Sequence, residues 1–216
     1  MNYLVYHPTR CQTNIGNLRV YHDNFTGNQD PYIWNKRFLH TFCHITQLKV
    51  TENDIIFWVS SDTLHNLTKL YCDCVFVIEE KHYWEGDANK IDIDDPLVDN
   101  LQTYEHHYKW AKVEHYFKRR KRYTLKANSE KSYQPQNDLK ELIDIIPFLN
   151  EEGISIETLT KEICMTKNGK YSINTRPFKL SNNTALKLYD FLWEMSKIKL
   201  TGEVLEKIHP QKIIKL

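Results

Sequence analysis

Two runs of the chain, Ile55-Ile56-Phe57-Trp58-Val59 and Val75-Phe76-Val77-Ile78, constrain its fold more than anything else in it. A strand wetted on one face alternates polar with apolar residues. The first run does not alternate and so predicts a central strand covered on both faces; the second predicts the next strong strand. The second run lies within a longer strand pattern over residues 70–79. Shorter β-prone stretches surround them: residues 3–7, stopped by Pro8, then 18–21 and 122–126. The tetrad Thr51-Glu52-Asn53-Asp54 separates residues 48–50 from 55–60 and predicts a hairpin there. Strand alternation within Cys72-Asp73-Cys74 predicts both sulfurs on one face, as core.

The pattern then changes. Residues 128–137 are polar and end the β-rich part. Apolar residues Leu139, Leu142, Ile143, Ile145, Ile146 and Leu149 form a helical stripe interrupted by Pro147. A second helix is predicted over 155–165, with Ser155 as its start. A third runs over 184–197, capped by Asn182 or Asn183, with Leu186, Tyr189, Leu192 and Trp193 on its apolar side. A short helix is expected after Gly202. Further helical turns are expected at 62–69, capped by Ser61 or Asp62, and at 97–107 behind Asp95-Pro96. The sum is an α+β protein: a β-rich domain over 1–127 with a helical extension over 138–216 packed on it.

With 216 residues, a single core of ordinary size needs no disulfide or metal staple. The five cysteines are scattered, without C-x-x-C spacing, which reads as reduced thiols in a cytoplasmic protein without a cofactor. No apolar run approaches the roughly 18 residues needed to cross a bilayer, so no membrane partner is expected.

Charge is concentrated rather than abundant. The chain holds 29 Lys and Arg against 28 Asp and Glu. Residues 109–126 carry eight basic residues and one acid, Glu114, a formal +7, while the other residues, 21 basic against 27 acidic, carry −6. At the heart of that segment stand Lys118, Arg119, Arg120, Lys121 and Arg122. His107, Trp110 and further aromatic residues lie just before them. Clustered cations neutralise phosphates, and interleaved rings stack on bases, so the segment points to nucleic acid, either DNA or RNA. An acidic protein partner is the alternative that charge alone allows.

Three further sets carry possible chemistry. Trp58, Tyr83 and Trp84 lie at or near the ends of the strong strands and could sandwich a flipped or modified base. Asp54 with the Glu79-Glu80-Lys81 triplet matches a nuclease pattern, in which Asp54, Glu79 and Lys81 at adjacent strand ends hold Mg²⁺ and activate water. This enzymatic alternative is the only reading that calls for a metal; a base-removing glycosylase is its metal-free variant. His40 and His44 share a helical spacing, and Asp92, Asp94 and Asp95 cluster. The former read as structural or surface histidines and the latter as a solvated loop.

The segment Lys49-Val50-Thr51-Glu52-Asn53-Asp54-Ile55-Ile56-Phe57-Trp58, with Cys74-Val75-Phe76-Val77-Ile78-Glu79 after it, resembles the PUA-like superfamily (the ASCH, EVE and YTH group). There a short turn ending in Gly-Asp leads into a buried strand; here Asn53 stands in place of the usual Gly. The resemblance covers roughly residues 1–127. It implies a mixed β-barrel that binds RNA or a modified DNA base through an aromatic pocket beside a basic surface, and so a modified-base reader or a nucleic-acid defence factor.

Overall fold

The computed structural model describes residues 1–6, 10–22, 39–41, 49–62, 67–83, 123–163 and 177–201. In chain order the strands are β1 (Asn2–Tyr6), β2 (Cys11–Ile15), β3 (Leu18–His22), β4 (Leu39–Thr41), β5 (Ile55–Ser60), β6 (Tyr71–Tyr83), β7 (Tyr123–Ala127), β8 (Tyr133–Gln136), β9 (Ile143–Asp144), β10 (Phe178–Leu180) and β11 (Ile198–Thr201). The helices are α1 (Ile146–Glu151), α2 (Ile156–Ile163) and α3 (Asn182–Met195).

Nine of the described strands share one mixed sheet, whose main path runs β10-β1-β5-β6-β7-β4. β1 pairs parallel with β5 and every other pair is antiparallel. The two apolar runs are its interior strands, as their lack of alternation requires. All six residues of β5 are buried, and so are residues 72–78 of β6. Burial of each large apolar side chain at such a position contributes roughly 1.5–3 kcal/mol. On one face lie Tyr3, Val5, Ile56, Trp58, Cys74, Phe76 and Ile78, covered by Val20 of the β2–β3 hairpin and Leu200 of β11. On the other lie Leu4, Tyr6, Phe57, Val59, Val75 and Val77, covered by Leu149, Leu159, Ala185, Leu188 and Leu192 of the helices.

Several expectations are corrected here. The path of described strands has two ends, β10 and β4, so it forms an open sheet where the PUA-like resemblance implied a barrel. The extension is not helical throughout: β10 lies antiparallel against β1, and β11 pairs with β8, which also touches β6. Residues 49 and 50 are not strand. Thr51–Asp54 is a tight turn (Asp54 N–H to Thr51 C=O, 3.1 Å) that leads straight into β5. Cys72 and Cys74 are both fully buried but point to opposite faces. Trp58 pairs with Cys74 and Val59 with Cys72, so Asp73 is an inserted bulge residue that resets the alternation.

Helix boundaries also differ from expectation. Pro147 opens α1 instead of interrupting a longer helix, because its missing N–H costs nothing in a first turn. Ser181, not Asn182 or Asn183, caps α3, accepting from Thr184 N–H at 3.0 Å. α3 buries Ala185, Leu188 and Leu192, leaving Leu186 and Trp193 exposed. Ser155 accepts from Thr158 N–H at 3.3 Å and so starts α2 as expected. The helical turns expected at 97–107 and after Gly202, and residues 63–66 of the one at 62–69, lie outside the described residues.

The polar stretch before residue 137 holds the least expected element. Tyr133-Gln134-Pro135-Gln136 is a fully buried strand, β8. Its glutamines are buried because they act as backbone. The Gln134 side chain accepts from Tyr21 N–H (2.8 Å) and donates to the carbonyls of Tyr21 (2.8 Å) and Asp73 (2.9 Å). Gln136 donates to the Arg19 carbonyl at 2.6 Å. These bonds dock the separate β2–β3 hairpin onto the main sheet, replacing a strand ladder. They also satisfy polar groups that would otherwise be orphaned, at about 1–3 kcal/mol each.

Candidate functional site: a polar cleft at the start of β6

Docking the hairpin this way leaves a cleft of about 460 Å³ between β2–β3, the start of β6 and the residues before β9. Its lining includes Arg10, Cys11, Arg19, Tyr21, Asp62, Lys69, Tyr71 and Glu141. The volume suits a small-molecule ligand.

Each charged group is held differently. The Arg10 guanidinium pairs with the Asp62 carboxylate and donates to Ser60 Oγ at 3.1 Å. It lies over the Tyr71 ring, 4.6 Å from its centroid, and 5.8 Å from that of Tyr21, so two rings face the cation. Behind it Ser60 donates to the buried Asp73 at 2.8 Å. The bulge that displaced Asp73 from the strand alternation thus supplies the inner anchor of this network. Asp62 also accepts from the Tyr71 hydroxyl at 3.0 Å. Burial first, and that hydrogen bond second, push the Tyr71 phenol up to about 12. Tyr21 donates its hydroxyl to the Lys140 carbonyl at 3.0 Å, and Lys140 reaches back to Asn17 C=O at 2.6 Å. Lys140 stands at φ 61°, an αL conformation held by the Asn137 turn beneath it. Arg19 differs from Arg10: its Nε is buried and makes no hydrogen bond among the described residues.

The residues singled out in the sequence fall elsewhere. Lys118, Arg119, Arg120, Lys121, Arg122, His107, Trp110 and Trp84 lie outside the described residues. So do His44, the aspartates at 92–95 and the basic run's other aromatic neighbours. Tyr83 is the last residue of β6 and pairs with Tyr123, the first of β7. Trp58 is 1% exposed within the core, so its ring cannot line an open base pocket. Asp54 accepts from Thr51 N–H (2.6 Å) and Thr51 Oγ1 (3.0 Å) through one oxygen and pairs with the Met1 amino group through the other. Glu79 is an exposed bulge residue, and Lys81 donates to the Val50 carbonyl at 3.0 Å. Asp54 and Lys81 are thus engaged in turn and strand contacts. Among the described residues no group of three or more His, Cys, Asp or Glu is placed to hold a metal ion.

None of the cleft's cations was legible as a set, because residues 10, 19 and 69 are isolated in sequence. The one usable signal was the alternation of Gln134 and Gln136 in a stretch otherwise read as loop. No family model, curated protein or solved structure matches this chain.

Proposed function

We propose that this protein binds nucleic acid through the surface at the far end of β6, with Lys118, Arg119, Arg120, Lys121 and Arg122 on phosphates and Trp84 with Tyr83 as stacking groups. The observation that carries the reading is the register Tyr83↔Tyr123. Trp84 and Arg122 are the chain neighbours of that one cross-strand pair, so in sequence each of the two segments adjoins a residue of it. Phosphate contacts give affinity, and rings beside them give a preference for unpaired or flipped bases.

A PUA-like relationship belongs to this proposal. The described sheet is mixed but open, and Asn53, at the position where the resemblance has Gly, stands at φ 64°, a conformation that Gly adopts freely. The base-reading part then rests on Trp84 and Tyr83, not on Trp58.

The test is binding of labelled single- and double-stranded DNA and RNA across a salt series. Wild type is compared with a Lys118→Ala/Arg119→Ala/Arg120→Ala variant. The expected result is salt-steep binding whose log–log slope falls by roughly 2–3 in the variant, at about 0.7–0.9 for each phosphate that is no longer neutralised. Absence of binding by wild type at low salt, or an unchanged slope, would overturn the reading.

A further inference from the structure

We infer that the cleft at the start of β6 is a second, separate ligand site, built to take the terminal phosphate of a phosphate monoester between Arg19, Lys69 and the outer edge of Arg10.

The arrangement of charge carries this inference. The lining holds three cations, Arg10, Arg19 and Lys69, and two carboxylates, Asp62 and Glu141. Asp62 is committed to Arg10 and Tyr71. Glu141 is exposed, 3.5 Å from the Asn137 amide. Arg10 is therefore neutralised and fixed in place, stacked on Tyr71 and braced through Ser60 by Asp73. Arg19 and Lys69 are not so committed. The Arg19 Nε is a buried donor without an acceptor, and Lys69 is exposed with no ion pair among the described residues. Buried N–H groups are rarely left without an acceptor, and a guanidinium offers a planar fork that suits phosphate oxygens. The Nε itself is shielded within the wall, and an anion between the cleft-lining part of Arg19 and Lys69 would meet the two lining cations that no described carboxylate pairs.

The site also has the preorganisation that binding needs. Arg10, Tyr21 and Tyr71 are held by the contacts above, and the backbone of Arg19 is pinned by Gln136. The ordering that a ligand imposes then falls on the Arg19 and Lys69 side chains. The cleft is larger than a phosphate ion, so an ester group can lie along Gln12 and Leu142. A free nucleotide and the 5′ end of a nucleic acid share this chemistry.

Cys11 lines the same cleft and has a free thiol, which supplies a local readout. The experiment measures the alkylation rate of Cys11 by peptide mass mapping at constant ionic strength. It uses full-length protein carrying Lys118→Ala/Arg119→Ala/Arg120→Ala, so that the basic run does not contribute. The probes are inorganic phosphate, uridine 5′-monophosphate, and one short oligonucleotide with either a 5′-phosphate or a 5′-hydroxyl. Saturable protection by the phosphate-bearing probes and none by the 5′-hydroxyl strand is expected. Arg19→Gln or Lys69→Gln should weaken it by about tenfold or more, the usual scale for a charge-assisted hydrogen bond. Lys161→Gln on α2 should leave it unchanged. Protection by uridine 5′-monophosphate assigns a free nucleotide as the source; protection by the 5′-phosphorylated strand alone assigns a nucleic-acid end. Lys69 is exposed, so its variant tests the site even if Arg19→Gln disturbs the hairpin. No protection by any probe, or protection that survives both substitutions, would overturn the inference.

Discussion

At its first residue β6 meets a cleft whose charges come from positions 10, 19, 62, 69 and 141; its last residue pairs with Tyr123, which in sequence directly follows the run of charges at 118–122. The strand between has 13 residues, at most roughly 40 Å at about 3.3 Å per residue. The two ends differ in how cations are organised. At Tyr71 two of the three have defined surroundings: Arg10 has a carboxylate, a hydroxyl and two rings, and Arg19 has a buried Nε. Such a site gains specificity from geometry. A contiguous basic run gains affinity from charge density, which tolerates many partners and weakens with salt. Concentration of charge in sequence and construction of a charged site are therefore separate properties, and one sheet can carry both.

Substitution in the strand next to β6 should damage both ends together. Trp58→Ala removes a fully buried ring and is expected to cost about 3–5 kcal/mol, read as a lower urea midpoint. Trp58→Phe should leave nucleic-acid affinity unchanged. A selective loss of base preference in that variant would return Trp58 to the site.

Gln134→Ala should break only the Tyr71 end. It strands the Tyr21 N–H and two carbonyls, at about 3 kcal/mol, and undocks the hairpin. Cys11 alkylation should then accelerate while salt-dependent nucleic-acid binding persists. Equal loss of both would show that the ends are not independent.

Arg10→Lys is a smaller change. It keeps the charge but loses the planar contact with Tyr71 and one of two directed bonds, at about 1–2 kcal/mol. The expected readout is a modest fall in thermal midpoint with unchanged binding through the basic run.

The smallest effect concerns pH. The Tyr71 phenol is raised to about 12 from an ordinary value of 10.0, so the folded state favours its protonated form. The stabilisation is complete below pH 10 and is lost as pH rises through 12. A spectroscopic titration should show a late-ionising tyrosine that disappears in Tyr71→Phe. Part of the late fraction should remain, because burial also raises Tyr133 and Tyr189.

How much of this was legible depended on whether a signal was local. β5 and β6 were readable because burial on both faces demands an unbroken apolar run, and such a run is visible in a few consecutive residues. The start of α2 at Ser155 was readable for the same reason. The face buried by α3 was misjudged, because Trp193 and Leu186 are as apolar as Leu188 and Ala185; only the position of the sheet beneath selects among them. β8 was missed because buried glutamine is unfavourable unless its partners are in place, and those partners, Tyr21 and Arg19, lie more than a hundred residues away. The opposite facing of Cys72 and Cys74 depended on the Asp73 bulge, a two-strand property that neither strand specifies alone.

The amino-acid sequence by itself determined the two strong apolar strands, the α+β class and a basic run closed by a β-prone stretch at 122–126, since each follows from neighbouring residues and elementary burial or charge. Tertiary structure alone decided that the sheet stays open along its described path, that C-terminal strands join it, and that Arg10, Arg19, Lys69 and Tyr71 surround one cleft. The reason is physical: that cleft exists only where the hairpin is held against β8 by side-chain amides, and a hydrogen bond between distant residues leaves no periodicity in the chain.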